Sequence, residues 1–234
     1  MEPSDSNATP VPDRDDAPCS RCLKPPALCV CAGVAPIDNR VALVILQHPQ
    51  EQDEALGTAR LTALHFRDAV VRIGLSWPSL AGLLGRPVDP RRWAVLYLGS
   101  VRPVDLPPGR DVVVVDAKGA PLPDQDAALR GIAGLIVLDG SWSQAKTLWW
   151  RNPWLLKARR IVLAPNRPSR FGILRREPRP EGLSTLEAVG LLLARVEGRP
   201  EIEAALLASF ERLLSRYRAT QPRKDYRRRK PRKR

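Results

Sequence analysis

The sequence predicts an α/β fold, a mostly parallel sheet with helices on both faces. Three observations carry this. Short apolar runs of four to six residues alternate with segments of helical period along the body of the chain. Runs such as Val112–Val115 are continuously apolar, which indicates strands buried on both faces and hence a largely parallel sheet covered by helices. One run, Gly134–Leu138, ends in Asp139-Gly140 and opens at once into a helical pattern, the strand-to-helix turn of a βα unit.

In chain order, Met1 to Pro18 is polar, acidic and broken by three earlier prolines, and it is expected to be disordered. Residues 19–36 carry all four cysteines and read as a small knuckle. Strands are expected at Val41–Leu46, Ala69–Ile73, Trp93–Tyr97, Val112–Val115, Gly134–Leu138 and Arg160–Leu163. Helices are expected at roughly 55–65, 78–84, 125–132, 142–151, 185–196 and 201–218, which makes 37–220 one α/β domain. From Gln221 the chain is a basic run too polar to pack, so 221–234 is expected to be a disordered tail.

A chain of 234 residues with 44% hydrophobic content can bury one medium core, alone or with a small appendage. The longest apolar runs are five to seven residues, too short to span a bilayer, and the N-terminus has no apolar signal region. A cytoplasmic location is the default, and no membrane partner is expected. The net charge of +13 is uneven: residues 1–18 carry −4 and residues 221–234 carry +8, leaving a basic body between them. A basic body with a more basic tail is the footprint of a polyanion binder.

The cysteines fall in thirteen residues as Cys19-x-x-Cys22 and Cys29-x-Cys31. Two close pairs of thiolates can converge on one tetrahedral cation. In a cytoplasmic protein this spacing predicts structural zinc. An iron–sulfur cluster and free or paired thiols are the competing readings. No cysteine is left over as a nucleophile.

Asp139-Gly140-Ser141-Trp142 is the best candidate for chemistry. Ligands of open α/β sheets sit at the carboxyl ends of strands, where Asp139 offers a charge and Trp142 a stacking face. On residues alone a second reading has equal standing: Ser141 and Gln144 form a capping box, and Trp142 is core. Two other strand ends can converge there. One is Tyr97-Leu98-Gly99-Ser100. The other is the stretch from Leu163 to Glu187, with Asn166, Arg167, Arg170, Arg175 and Arg176, in which Ser184 and Glu187 also fit a capping box. His48, after the first strand, is a further candidate beside a structural reading. Trp142, Trp149, Trp150 and Trp154 suggest an aromatic core or a dimer face, with base stacking as the alternative. The oligomeric state is left open.

The octet Asp139–Lys146 resembles the signature of the DTW-domain family of tRNA-uridine aminocarboxypropyltransferases, with Ser141 where that family more often has threonine. His48-Pro49-Gln50-Glu51, Thr58-Ala59-Arg60, Arg175-Arg176-Glu177-Pro178 and Leu183-Ser184-Thr185-Leu186-Glu187-Ala188 are similar to other motifs of the family, as is the cysteine cluster. The resemblance runs from about Cys19 to Ala219. It implies a SPOUT-like domain whose deep knot forms an S-adenosylmethionine pocket. It also implies transfer of the donor's 3-amino-3-carboxypropyl group to N3 of a tRNA uridine, with release of 5′-methylthioadenosine. Asp139 is then expected to act as general base or orienter of N3, Ser141 to bond the uracil carbonyl or the donor, and Trp142 to wall the pocket. Tyr97, Gly99, Asp139, Ser141, Trp142, Ser184 and Thr185 are expected to bind the donor. Arg167, Arg170, Arg175 and Arg176 are expected to contact tRNA phosphates. A SPOUT-like RNA methyltransferase and a non-catalytic zinc-knuckle RNA-binding protein are the alternatives.

Overall fold

The computed structural model describes residues 17–96, 109–165, 167–172, 174 and 182–221. The expected disordered N-terminus, up to residue 16, and the basic tail beyond Gln221 lie outside the described residues, as do Tyr97, Gly99, Arg175 and Arg176.

Six strands form one sheet: β1 (Ala42–Gln47), β2 (Ala69–Ile73), β3 (Trp93–Leu96), β4 (Val112–Val115), β5 (Gly134–Asp139) and β6 (Arg159–Leu163). Their order is β2-β1-β5-β3-β6-β4. Every pairing is parallel except β4 with β6, which is antiparallel and sits at the sheet edge. The Val112–Val115 run is buried as expected, yet it is the strand that runs the other way. Burial on both faces follows from what covers a strand, and it does not set direction.

β1 and β5 pair over six residues, from Ala42 opposite Gly134 to Gln47 opposite Asp139. Side chains alternate along a strand. Leu43 and Ile45, with Leu135 and Val137, therefore face one core, and Gln47 and Asp139 continue that same face. α5 (Thr185–Glu197) and α6 (Pro200–Thr220) pack there, with α1 (Ala59–Ala63) and α3 (Gln125–Arg130). The opposite face, from Val44, Leu46, Ile136 and Leu138, is covered by α2 (Leu80–Leu84), α4 (Trp142–Arg151) and the turn residues Trp154 and Leu155. Close strand packing there depends on Gly134: a Cβ at this position would stand 2.5 Å from three ring atoms of Trp93, its β3 partner.

The knuckle is fused to this core. Leu28, Val30 and Val34 belong to the same apolar cluster as α5 and α6, and Arg212 and Arg216 of α6 donate to the carbonyls of Gly33 and Cys29. α1 is shorter than its pattern predicts. The Ala55 carbonyl, which a longer helix would spend on its own fourth residue, accepts instead from Lys24 Nζ of the knuckle at 2.8 Å. The knot implied by the family resemblance is not addressed by this topology, because the segments around residues 97–108 and 175–181 lie outside the described residues.

Candidate active site and metal centre

The four cysteine Sγ atoms all lie within 4.8 Å of one another. Cys19 and Cys31 are 3.9 Å apart, and a regular tetrahedron with Zn–S bonds of about 2.3 Å requires S···S distances near ~3.8 Å. The donor set and its size fit Zn²⁺. Their surroundings split the thiols. Backbone N–H groups of Cys22 and Arg21 aimed at Cys19 lower its pKa to about 6. Burial and crowding by Cys22 push Cys31 well up, and burial raises Cys22 as well. Such a cluster gains from a cation that takes four thiolates at once.

The second centre lies at the carboxyl ends of β1 and β5. Asp139 is buried, 5% exposed. Its Oδ2 accepts from Gln47 Nε2 at 2.8 Å, and its Oδ1 accepts from the Thr185 hydroxyl. The strand register explains the first contact, and the second comes from the first residue of α5, whose N-terminus favours a negative charge. Lys24 is close enough to act on Asp139 as an opposite charge, although burial lowers the Lys24 pKa overall. The Asp139 carbonyl accepts from His48 N at 2.9 Å, which fixes the two strand ends to each other.

Gly140 then turns the chain into α4 at φ +152°. A Cβ there would come within 2.9 Å of Gln144 and 3.4 Å of His48 Cβ. Ser141 caps α4 in the capping-box pair: its N donates to Gln144 Oε1 at 2.6 Å, and its hydroxyl accepts from Gln144 N. Trp142 is half-buried. The aromatic run splits along the helix. Trp154 is core, Trp149 is half-buried with Arg160 over its ring at 5.7 Å, and Trp150 is 78% exposed.

Glu51, Thr58, Asp139, Gly140, Phe171, Leu183, Ser184 and Thr185 enclose a narrow cleft at this junction. Ser184 and Thr185 therefore line it, but their hydroxyls also hold the fold. Ser184 exchanges bonds with Glu187 in a capping box, and Thr185 reaches Asp139. Glu187 is a structural hub, accepting from Ser169 Oγ at 2.6 Å, Arg170 N at 2.8 Å and Ser184 N at 3.0 Å. Arg167 and Arg170 are ion-paired to Glu203 and Glu211 of α6, which ties the 167–172 segment to that helix. Glu51, Thr58 and Leu183, which lie in the family-like motifs, join the cleft with Phe171, although the sequence assigned none of them a role. Gln47 could have been found there, as the first polar residue after an apolar strand that pairs with Gly134–Asp139.

The DTW domain family model matches residues 16–218. The chain is 31% identical over 201 residues to a protein named tRNA-uridine aminocarboxypropyltransferase 2 from Drosophila melanogaster, covering 83% of this chain and 72% of that protein. It is 27% identical to proteins of the same name from Macaca fascicularis and Mus musculus, covering 84% of this chain and 62% of each relative. No solved structure gives a significant match.

Proposed function

Since the chain belongs to the DTW domain family, we propose that it transfers the 3-amino-3-carboxypropyl group of S-adenosylmethionine to N3 of a uridine in tRNA. The observation that supports this most is the buried Asp139 carboxylate, bonded by Gln47 and Thr185 at the edge of a cleft where two strands and the α5 N-terminus meet. The names of the relatives supply the reaction class. The donor, when bound, supplies a carbon already activated by its sulfonium, and the C–S electron pair leaves with 5′-methylthioadenosine. N3 forms the new C–N bond and gives up its proton to the Asp139 carboxylate.

Little is then asked of the protein beyond position and charge. Asp139 supplies the negative charge that orients N3–H for removal. Thr185 and Gln47 keep its carboxylate from rotating. Phe171 and Leu183 line the cleft and exclude water from it, whereas Ser141 and Trp142, expected to bond the substrate and to wall the pocket, are not among its lining residues. Tyr97 and Gly99, which follow β3 in the sequence and lie outside the described residues, remain candidates for contact with the donor. Arg167, Arg170, Arg175 and Arg176 would meet tRNA phosphates, the first two after giving up or sharing their α6 carboxylates. The cysteine centre would hold Zn²⁺ and stabilise the knuckle, with no part in the bond-making. N3 is hidden in a duplex, so the target is an unpaired nucleotide.

Incubation with tRNA and donor labelled in the methionine carbon chain tests this. Label in tRNA with 5′-methylthioadenosine released is expected. S-adenosylhomocysteine as product would make the protein a methyltransferase. Binding of tRNA with no measurable donor affinity would make it a non-catalytic RNA-binding protein.

A further inference from the structure

No acidic residue stands between Gly140 and Arg160, a stretch that carries Lys146, Arg151, Lys157, Arg159 and Arg160. The fold lays this stretch out as a line. α4 begins two residues after Gly140, which lines the Asp139 cleft, and its ten residues carry the chain about 15 Å away. The turn Pro153–Lys157 then feeds β6. β6 runs parallel to β3, and β3 to β5, so Arg159 and Arg160 lie at the amino ends of the strands and Asp139 at the carboxyl end. α4 thus joins the two ends of the sheet.

An open cleft of about 730 Å³ sits at the far end, lined among others by Arg91, Asp116, Leu156, Lys157, Arg159 and Arg160. Four cations there face one carboxylate, and Asp116 Oδ1 already accepts from Lys118 N and Ala120 N. Arg159 and Arg160 are anchored, each donating from Nη1 to a carbonyl, that of Ala128 and that of Ala117. A carbonyl bond fixes a guanidinium and leaves its positive charge. A cleft walled by one sign of charge concentrates the opposite sign. Between the two clefts α4 presents Ser143, Lys146 and Trp150, which spacings of three and four set in one row. All three are exposed, Trp150 by 78%, and Leu156 past the helix is 57% exposed. An aromatic ring left in water among cations is the composition of a surface that stacks bases and holds phosphates.

Resting on the function proposed above, we propose that this row is the track of the tRNA strand that continues from the modified uridine. Its phosphates meet Lys146 and then Lys157 and Arg91 at the basic cleft, and an unpaired base beside the target stacks on Trp150. The target uridine itself stays at Asp139, and the track takes no part in the bond-making. The length of α4 corresponds to about four nucleotides of stacked strand. The substrate is therefore an RNA loop with several unpaired nucleotides on one side of the target, held by backbone and stacking and not by base identity.

The test uses the full-length protein and tRNA transcripts. Lys146→Gln with Lys157→Gln is expected to weaken tRNA binding about tenfold at low salt. It should also reduce the slope of log affinity against log salt by roughly 1.5, since each lost phosphate contact removes about 0.7–0.9. Trp150→Ala is expected to weaken binding about tenfold with that slope unchanged, because stacking releases no counterions. Melting temperature and S-adenosylmethionine affinity should hold in both variants. In wild-type protein, bound tRNA is expected to protect Lys146 and Lys157 from acetylation by a small reagent, a readout that needs no variant. Wild-type tRNA affinity in either folded variant, or equal acetylation of both lysines with and without tRNA, overturns the track. So does conversion of a dimer to a monomer by Trp150→Ala at unchanged tRNA affinity, which would give this face to a second copy of the chain. Labelling of tRNA by wild-type protein with tRNA binding intact in both variants refutes the track alone. Failure of wild-type protein to label any transcript refutes the function on which the track rests.

Discussion

Asp139 can be stripped of its charge without being stripped of its partners. In Asp139→Asn the amide oxygen still accepts from Gln47 Nε2, and the Thr185 hydroxyl can turn to accept from the new NH₂ group. Loss of the charge that assists proton removal is expected to cost on the order of 10²–10⁴ in single-turnover rate. Melting temperature and donor affinity should stay nearly constant. A normal rate in folded Asp139→Asn protein would remove Asp139 from the mechanism. His65 offers a contrasting case. It is 2% exposed, neither ring nitrogen has a partner among the described residues, and burial with the nearby Arg212 charge lowers its pKa from 6.5 to about 4. The unfolded chain therefore takes up a proton between those values that the folded chain refuses. The contribution of His65 is intact above pH 6.5 and falls away toward pH 4, by at most about 3 kcal/mol. His65→Leu should flatten that part of the stability–pH curve while leaving stability at neutral pH equal or higher, as urea titrations at pH 7.5 and 4.5 would show.

At the scale of elements, the pattern in the sequence located all six strands and six helices to within a few residues. Where it missed, the cause lay elsewhere in the chain. Nothing near residue 55 announces that a knuckle lysine will take the Ala55 carbonyl, and nothing in Val112–Val115 shows that the strand will enter the sheet reversed. Local capping chemistry was legible because it spans three residues: both Ser141/Gln144 and Ser184/Glu187 form the boxes their spacing suggests. The meeting of Gln47, Asp139 and Thr185 was legible only in part. It depends on register between strands 92 residues apart. That register can be probed at Gly134. In Gly134→Ala the new methyl meets the Trp93 ring, which is 3% exposed and has no room to retreat. A loss of about 1–3 kcal/mol is expected from such overpacking, measured by denaturant unfolding. Wild-type stability in that variant would mean that β3 and β5 are not packed as described.

Across the whole molecule, the cysteine centre and α6 support each other, since the knuckle carries apolar residues into the main core and takes two arginines from α6. Cys29→Ser with Cys31→Ser should abolish zinc in the purified protein, and chelation of wild-type protein should lower its melting temperature. Zinc retained in full by the double variant would refute the four-cysteine site. The basic tail is expected to act at longer range. Removing residues 221–234 takes away nine Lys and Arg, so tRNA affinity should fall most at low salt and its salt dependence should flatten, with kcat at saturating tRNA little changed. Loss of turnover at saturating tRNA would place the tail in the site itself.

β1 sits between β2 and β5, and every one of its six residues is buried. During synthesis at roughly 5–20 residues per second, that strand and the knuckle before it leave the ribosome many seconds before β5 and α6 exist. Ala-Leu-Val-Ile-Leu-Gln meanwhile has one sheet neighbour at most and an open hydrogen-bonding edge, the kind of segment that associates with copies of itself. The cleft at Asp139, the proposed reaction centre, is completed by the same late pairing. A nascent or truncated chain that stops before Asp139 thus has no activity to lose and an adhesive strand to expose, so the yield of active protein in the cell should depend on chaperone supply more steeply than its final stability would suggest.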